Sequence, residues 1–129
     1  MKRRLLVLGI AAAVAVAAFA AAAFSPRAFA RHDSSLTLVG TVGPGYTINL
    51  KVGGKNLVRL KAGKYTFVIH DQGSIHGWSL DGPNGFAKDL TAVSFTGTKT
   101  VTLNLKAGKY KFYCPPHESQ MFGHFSAVS

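Results

Sequence analysis

The chain has a single cysteine, Cys114, and only five acidic residues against fifteen Lys and Arg in 129 residues. One cysteine excludes an intramolecular disulfide. In an exported protein such a residue must pair between molecules, oxidise, or be capped by a metal. Glu118 is the only glutamate, and no two carboxylates stand in a pattern suited to general acid–base work. A Ser-His-Asp pattern and a phosphate loop are also missing. These absences argue against an enzyme. Helical periodicity is absent after residue 30. Period-two alternation, β-branched and aromatic enrichment, and glycine-bearing turns take its place. That stretch has no linker and no low-complexity tract, so residues 31–129 read as one domain with one core.

What the chain does have is concentrated near its C-terminus. Cys114, His117 and Met121 fall within eight residues, in Cys114-Pro115-Pro116-His117-Glu118-Ser119-Gln120-Met121. A thiolate, an imidazole and a thioether on one loop suit a soft, thiophilic metal. A second histidine would complete a trigonal two-His, one-Cys site with a weak axial Met, the donor set of blue copper. His70 and His76 both qualify for that position. Zinc also binds one Cys and two His, but a catalytic zinc site needs an open position and a general base. A thiol enzyme pairing Cys114 with His117 would leave Met121 without a role. His124 and His32 read as solvent-facing side chains, and Trp78 as core.

The N-terminus reads as an export signal. Lys2, Arg3 and Arg4 form a positive region, Leu5 to Phe24 is uninterrupted and apolar, and Ala28-Phe29-Ala30 is an A-x-A cleavage site. The segment 1–30 is therefore expected to be removed. The alternative is retention as a membrane anchor, because twenty apolar residues are long enough to span a bilayer. Either outcome places residues 31–129 in the periplasm, the cell envelope or the extracellular space. Four of the fifteen cations lie in the first thirty residues and all five acids lie after them, leaving a formal charge of +6 on residues 31–129. Such a domain is drawn towards acidic protein surfaces or anionic lipids. Nucleic acid is a poor fit, because the lysines are scattered over strands and turns.

Strands are expected at Leu36–Val42, Tyr46–Lys51, Leu57–Leu60, Lys64–His70, His76–Leu80, Thr91–Phe95, Thr100–Leu105, Lys109–Cys114 and Phe122–Val128. An irregular connection or short helix is expected over Gly82–Asp89. Short strands at this spacing imply an all-β sandwich or barrel. One unit repeats: Leu60-Lys61-Ala62-Gly63-Lys64-Tyr65-Thr66-Phe67 returns as Leu105-Lys106-Ala107-Gly108-Lys109-Tyr110-Lys111-Phe112. Each copy runs towards a candidate ligand, one towards His70 and His76, the other towards Cys114.

Over residues 36–128 the sequence resembles the cupredoxins of the plastocyanin, pseudoazurin and amicyanin type. The run from Gly108 and Tyr110 to Cys114 and His117, followed by Met121, Gly123 and a closing strand, is similar to that family's signature. Tyr65 to Ile69, a turn at Gly73, and His76 opening Trp78-Ser79-Leu80 match its earlier half. The resemblance implies a Greek-key β-sandwich of about eight strands holding one copper per chain through His76, Cys114, His117 and Met121. It also implies a one-electron carrier between redox proteins, with the exposed edge of His117 as the electron exit. The net charge adds acidic docking surfaces on those partners. A membrane enters only if the N-terminal segment is kept. The alternative function is copper delivery, storage or tolerance in the envelope. Two departures stand out. Three residues separate His117 from Met121, where plastocyanins commonly have four and amicyanins two. Gly77 stands where many relatives place the Asn that ties the two ligand loops together.

Overall fold

The computed structural model describes residues 35–129. The expected signal, its cleavage site and His32 lie outside the described residues. Among the described residues no helix is long and apolar enough to cross a membrane.

Alternation builds the sheets. In β5 (Gly63–Asp71), Tyr65, Phe67, Ile69 and Asp71 are buried while the residues between them are more open. In β9 (Gly108–Tyr113), Tyr110 and Phe112 point inward. A strand's side chains alternate between faces, so one face of each strand joins the core. Ten strands form two five-stranded sheets. The first has the order β3-β2-β1-β5-β8, from Lys55–Asn56, Ile48–Val52, Leu36–Val42, β5 and Gly97–Leu105. The second has the order β4-β10-β9-β6-β7, from Arg59–Lys61, Phe122–Val128, β9, Trp78–Asp81 and Ala87–Thr91. β1 with β5 and β4 with β10 pair in parallel, and the other pairs are antiparallel. The arrangement is the expected all-β sandwich, consistent with a Greek key.

The strand boundaries differ in three informative places. The expected strand Leu57–Leu60 begins instead as a crossing between the sheets at Leu57–Val58 and becomes strand only at Arg59, in β4. β3 pairs with β2, whereas β4 pairs with β10. The crossing at Leu57–Val58 is held by Leu57 N–H donating to Leu50 O at 2.9 Å and Ser126 N–H donating to Val58 O at 3.0 Å. The expected strand Thr91–Phe95 is instead a turn after Thr91, with Phe95 N–H donating to Ala92 O at 3.0 Å. The strand in that region is β7, with its first three residues exposed. It lies at the sheet edge, so its Ala-Lys-Asp stretch needs no apolar alternation. Tyr46 and His76, expected as strand starts, lie in the loops before β2 and β6.

Aromatic rings join the layers. Trp78 is fully buried, stacks on Phe112 at 5.4 Å and meets Phe67 of the opposite sheet at 6.2 Å. Tyr110 stacks on Phe125 at 5.0 Å. The internal repeat is structural. Tyr65 donates its hydroxyl to Lys61 O at 2.6 Å, and Tyr110 donates to Lys106 O at 2.8 Å. Each bond ties a strand to the turn preceding it, as in the tyrosine corner of other sandwiches. The turn glycines are equivalent too, with φ of 151° at Gly63 and 150° at Gly108, where other side chains are strained.

The twin geometry predicts twin energetics. Tyr65→Phe and Tyr110→Phe each delete one partly buried hydrogen bond and keep the ring, so each should lower unfolding stability by about 1 kcal/mol. Denaturant unfolding of the two variants measures this, and comparable midpoint shifts are expected.

Candidate metal centre

Two strands, one from each sheet, run to the same end of the sandwich. β5 leads into the loop carrying His76, and β9 leads into Cys114. Strand phase decides which side chains face inward. Ile69 is buried, so His70 falls on the outer face, where its Nδ1 meets Thr98 Oγ1 at 2.9 Å. Phe112 is buried, so Cys114, two residues on, faces inward and is fully buried. His76 escapes the alternation because it lies in the turn after β5. Its N–H donates to Gly73 O at 3.1 Å, and its side chain is 1% exposed.

The 114–121 loop closes on itself. Cys114 N–H donates to Met121 O at 3.0 Å, His117 N–H to Cys114 O at 3.0 Å, and Met121 N–H to His117 O at 2.8 Å. Pro115 and Pro116 open a short 3₁₀ turn ending at His117. Proline suits the first positions of such a turn, having no N–H to satisfy and a fixed φ. The turn returns His117 over the cysteine. Met121 is 1% exposed and completes the loop beside it. The three-residue gap between His117 and Met121 is therefore accommodated by a hydrogen-bonded turn, with the thioether directed into the interior.

The donors converge. Cys114 Sγ lies 3.6 Å from His76 Nδ1 and 3.6 Å from His117 Nδ1. One donor atom from each of the three residues lies within 4.8 Å of the others. With those separations, a point equidistant from the sulfur and both nitrogens is within roughly 2.4 Å of each, the scale of metal–nitrogen and metal–sulfur bonds. No carboxylate belongs to this trio. His76 Nε2 is buried without a hydrogen-bond partner, as is Asp71 Oδ2. Both belong to the loop around Gly73, whose N–H donates to Asp71 Oδ1 at 3.3 Å. A histidine that gives one nitrogen to a metal commonly directs its other N–H to a carboxylate, a carbonyl or a water. The soft donor set, its spacing and its burial all fit a copper ion.

Space around His76 is set by glycine. A Cβ on Gly73 would come within 2.7 Å of His76 Cδ2, and one on Gly43 within 2.9 Å. Gly77 is constrained as well. A Cβ there would lie 3.0 Å from Thr91 O and 3.3 Å from Val93 N. An Asn at this position would require the loop after β7 to give by a few tenths of an ångström. That loop is held instead by Trp78 N–H donating to Thr91 Oγ1 at 2.9 Å.

Tyr46 was not identified as a site residue from sequence. It follows the Gly43-Pro44-Gly45 turn and packs edge-on against both imidazoles, 5.7 Å from His76 and 4.9 Å from His117 between ring centroids. It is 60% exposed and bridges the two ligand loops. Its only sequence signal is an aromatic residue straight after a Gly-Pro-Gly turn. Tyr113, just before Cys114, meets Asp81 Oδ1 at 3.4 Å. Burial first, and then that carboxylate, raise its phenol above the ordinary value. His124 stands apart on β10, with its ring 5.6 Å from Phe122.

Comparison with known proteins agrees with this centre. Residues 46–127 match the sequence profile of the copper binding proteins, plastocyanin/azurin family. No curated protein matches the chain. Among solved structures, the copper(I) form of an amicyanin mutant is similar, with 15% identity over 70% of this chain and 81% of that one, and a TM-score of 0.48. Rusticyanin from Thiobacillus ferrooxidans is similar at 22% identity over 72% and 77% of the two chains, with a TM-score of 0.47. The profile match extends over most of the chain and includes every residue of the converging centre, so the protein belongs to the copper-binding plastocyanin/azurin family, and its cofactor is copper.

Proposed function

We propose that this protein is an exported type 1 copper protein that carries single electrons between redox partners. His76, Cys114, His117 and Met121 would hold the ion. The observation that carries this reading is the position of Cys114 Sγ, fully buried and 3.6 Å from a nitrogen of each imidazole. Copper held by a thiolate and two imidazoles supplies a one-electron couple whose two oxidation states tolerate similar geometry. The protein's part is to keep the donors fixed and dry. The hydrogen-bonded 114–121 loop fixes Cys114 and His117, while Gly43 and Gly73 confine His76. Burial of His76, Cys114 and Met121 keeps bulk water from the donors. His117 is only partly buried, so its edge reaches the surface between Tyr46 and the exposed Pro115 and Pro116. This is the place for a partner to approach.

Copper hand-off would favour donors that an acceptor can reach in turn. Here three of the four are sealed, which supports retention of the ion over delivery. An export signal at 1–30 is consistent with this role: where free thiols oxidise, ligation to copper would account for a lone cysteine.

Copper-loaded residues 31–129 should bind one copper and show an intense visible thiolate-to-copper band that ascorbate bleaches. A colourless Cu(II) form would overturn the assignment. His76→Ala should abolish the band and His70→Ala should leave it, as absorption spectra of the two variants would show. Tyr46→Ala removes the ring that braces both imidazoles and should weaken copper retention about tenfold in a chelator competition, the lower end of the range for residues supporting metal ligands. Tyr46→Phe should behave as wild type. Voltammetry should be reversible, with slow copper transfer to an apo acceptor. Irreversible voltammetry with rapid transfer would favour the delivery role.

A further inference from the structure

The positive charge of the domain is not spread evenly. Topology places the loops 43–47, 72–77, 92–96 and 114–121 at the metal end. The turns 53–54, 82–86 and 106–107, together with the start of β1, lie at the opposite end. Lys55, Arg59, Lys61, Lys64, Lys106 and Lys109 all lie on or beside those opposite turns and strand ends, and all six are exposed. They come from both sheets, so they make a broad patch across the end of the sandwich. Among the described residues the one ion pair is Lys111–Glu118, so none of the six is paired. Asp71 and Glu118 lie at the metal end, Asp89 receives the Ser79 hydroxyl at 2.6 Å part-way along the second sheet, and Asp81 faces Tyr113.

This pole also carries apolar surface. Leu36 there is 62% exposed. A cleft of about 330 Å³ opens there among Leu36, Leu57, Leu60 and Tyr65, rimmed by Arg59 and Lys61. Leu36, the first residue of β1, pairs with Tyr65 at this pole.

We propose that this pole is a docking surface for an anionic lipid bilayer, and that it leaves the metal end facing away from the membrane. A broad cationic patch with exposed aliphatic side chains suits a plane of anionic headgroups, to which each Lys or Arg near the surface adds affinity. An acidic protein would satisfy the cations but not the exposed Leu36 and the apolar cleft beside it. The metal end is too distant for this charge to serve docking there. Nine residues of β5 separate the poles by roughly 25–30 Å, about three Debye lengths at physiological salt.

The test uses residues 31–129, which contain all the described strands and the core they enclose, in copper-loaded and copper-free forms. Co-sedimentation would compare vesicles of phosphatidylcholine alone with vesicles containing phosphatidylglycerol, at low and raised salt. Binding should require phosphatidylglycerol, weaken with salt and be the same in both forms. Each surface cation is worth about a fivefold change in affinity, so Lys55→Gln, Arg59→Gln and Lys61→Gln combined should weaken binding about a hundredfold. Lys99→Gln, on β8 near the metal end, should change it less than about fivefold. Lysine acetylation read by mass spectrometry should show vesicle protection at Lys55, Lys61, Lys64, Lys106 and Lys109 and none at Lys99. Equal binding to neutral vesicles, or protection centred on Lys99, would overturn the proposal. So would tighter binding of polyglutamate than of phosphatidylglycerol vesicles at the same lysines, which would make the pole a site for acidic proteins. Because the copper-free form is included, this result stands or falls separately from the electron-transfer reading.

Discussion

The burial of one sulfur atom organises the metal end. Cys114 lies inside an apolar sandwich with two imidazole nitrogens 3.6 Å away. Three polar donors facing one another in a dry interior are unfavourable unless something uses them. The surrounding features keep them there. The Cys114–Met121 backbone bond closes the loop, the proline-led turn returns His117, and glycines at 43 and 73 leave room for the buried His76. Removing any of these would free a donor to seek water or a different partner. The convergence of the three donors thus rests on these backbone constraints as well as on the chemistry of the donors themselves.

Much of this was legible in the sequence because two rules act locally. Period-two alternation gave β1 and β10 their full lengths. The same alternation explains why Cys114 points inward and why His70 cannot, once Phe112 and Ile69 are known to be core. Cys114, His117 and Met121 share one loop, so their proximity is nearly covalent. His76 was harder, because its position depends on a turn between sheets. What escaped sequence reasoning depends on contacts between distant segments. Tyr46 bridges two loops from its place in a third. Asp71 reads as an ordinary strand-end acid until the phase of β5 buries it. β7 was displaced because Val93 and Phe95 are better strand formers than Ala87, Lys88 and Asp89, and edge pairing outweighed propensity.

Gly77 shows how a departure from a family pattern can be resolved physically. Without the Asn that many relatives place there, the ligand loops need another tie. A Cβ at 77 would lie 3.0 Å from Thr91 O, so a side chain there would require the loop after β7 to give by a few tenths of an ångström. Thr91 Oγ1 secures that loop to Trp78, and the ring of Tyr46 supplies the contact across the two histidines. Packing constrains the distance between the imidazoles more than their rotation, so the orientation of His117 rests chiefly on its own loop.

Net charge is a scalar, and the fold turns it into a direction. From sequence, +6 on residues 31–129 suggested attraction of acidic redox partners. In the structure the cations gather at the end where β1 begins, whereas the metal end carries Glu118 and the exposed rings of Tyr46, Pro115 and Pro116. Screening over the length of the sandwich separates the two ends electrically. Around His117 the surface carries Tyr46, Pro115 and Pro116, with Glu118 paired to Lys111. On the proposed reading, the basic pole and the metal end would serve different surfaces, so attachment and electron exchange would not compete for the same residues.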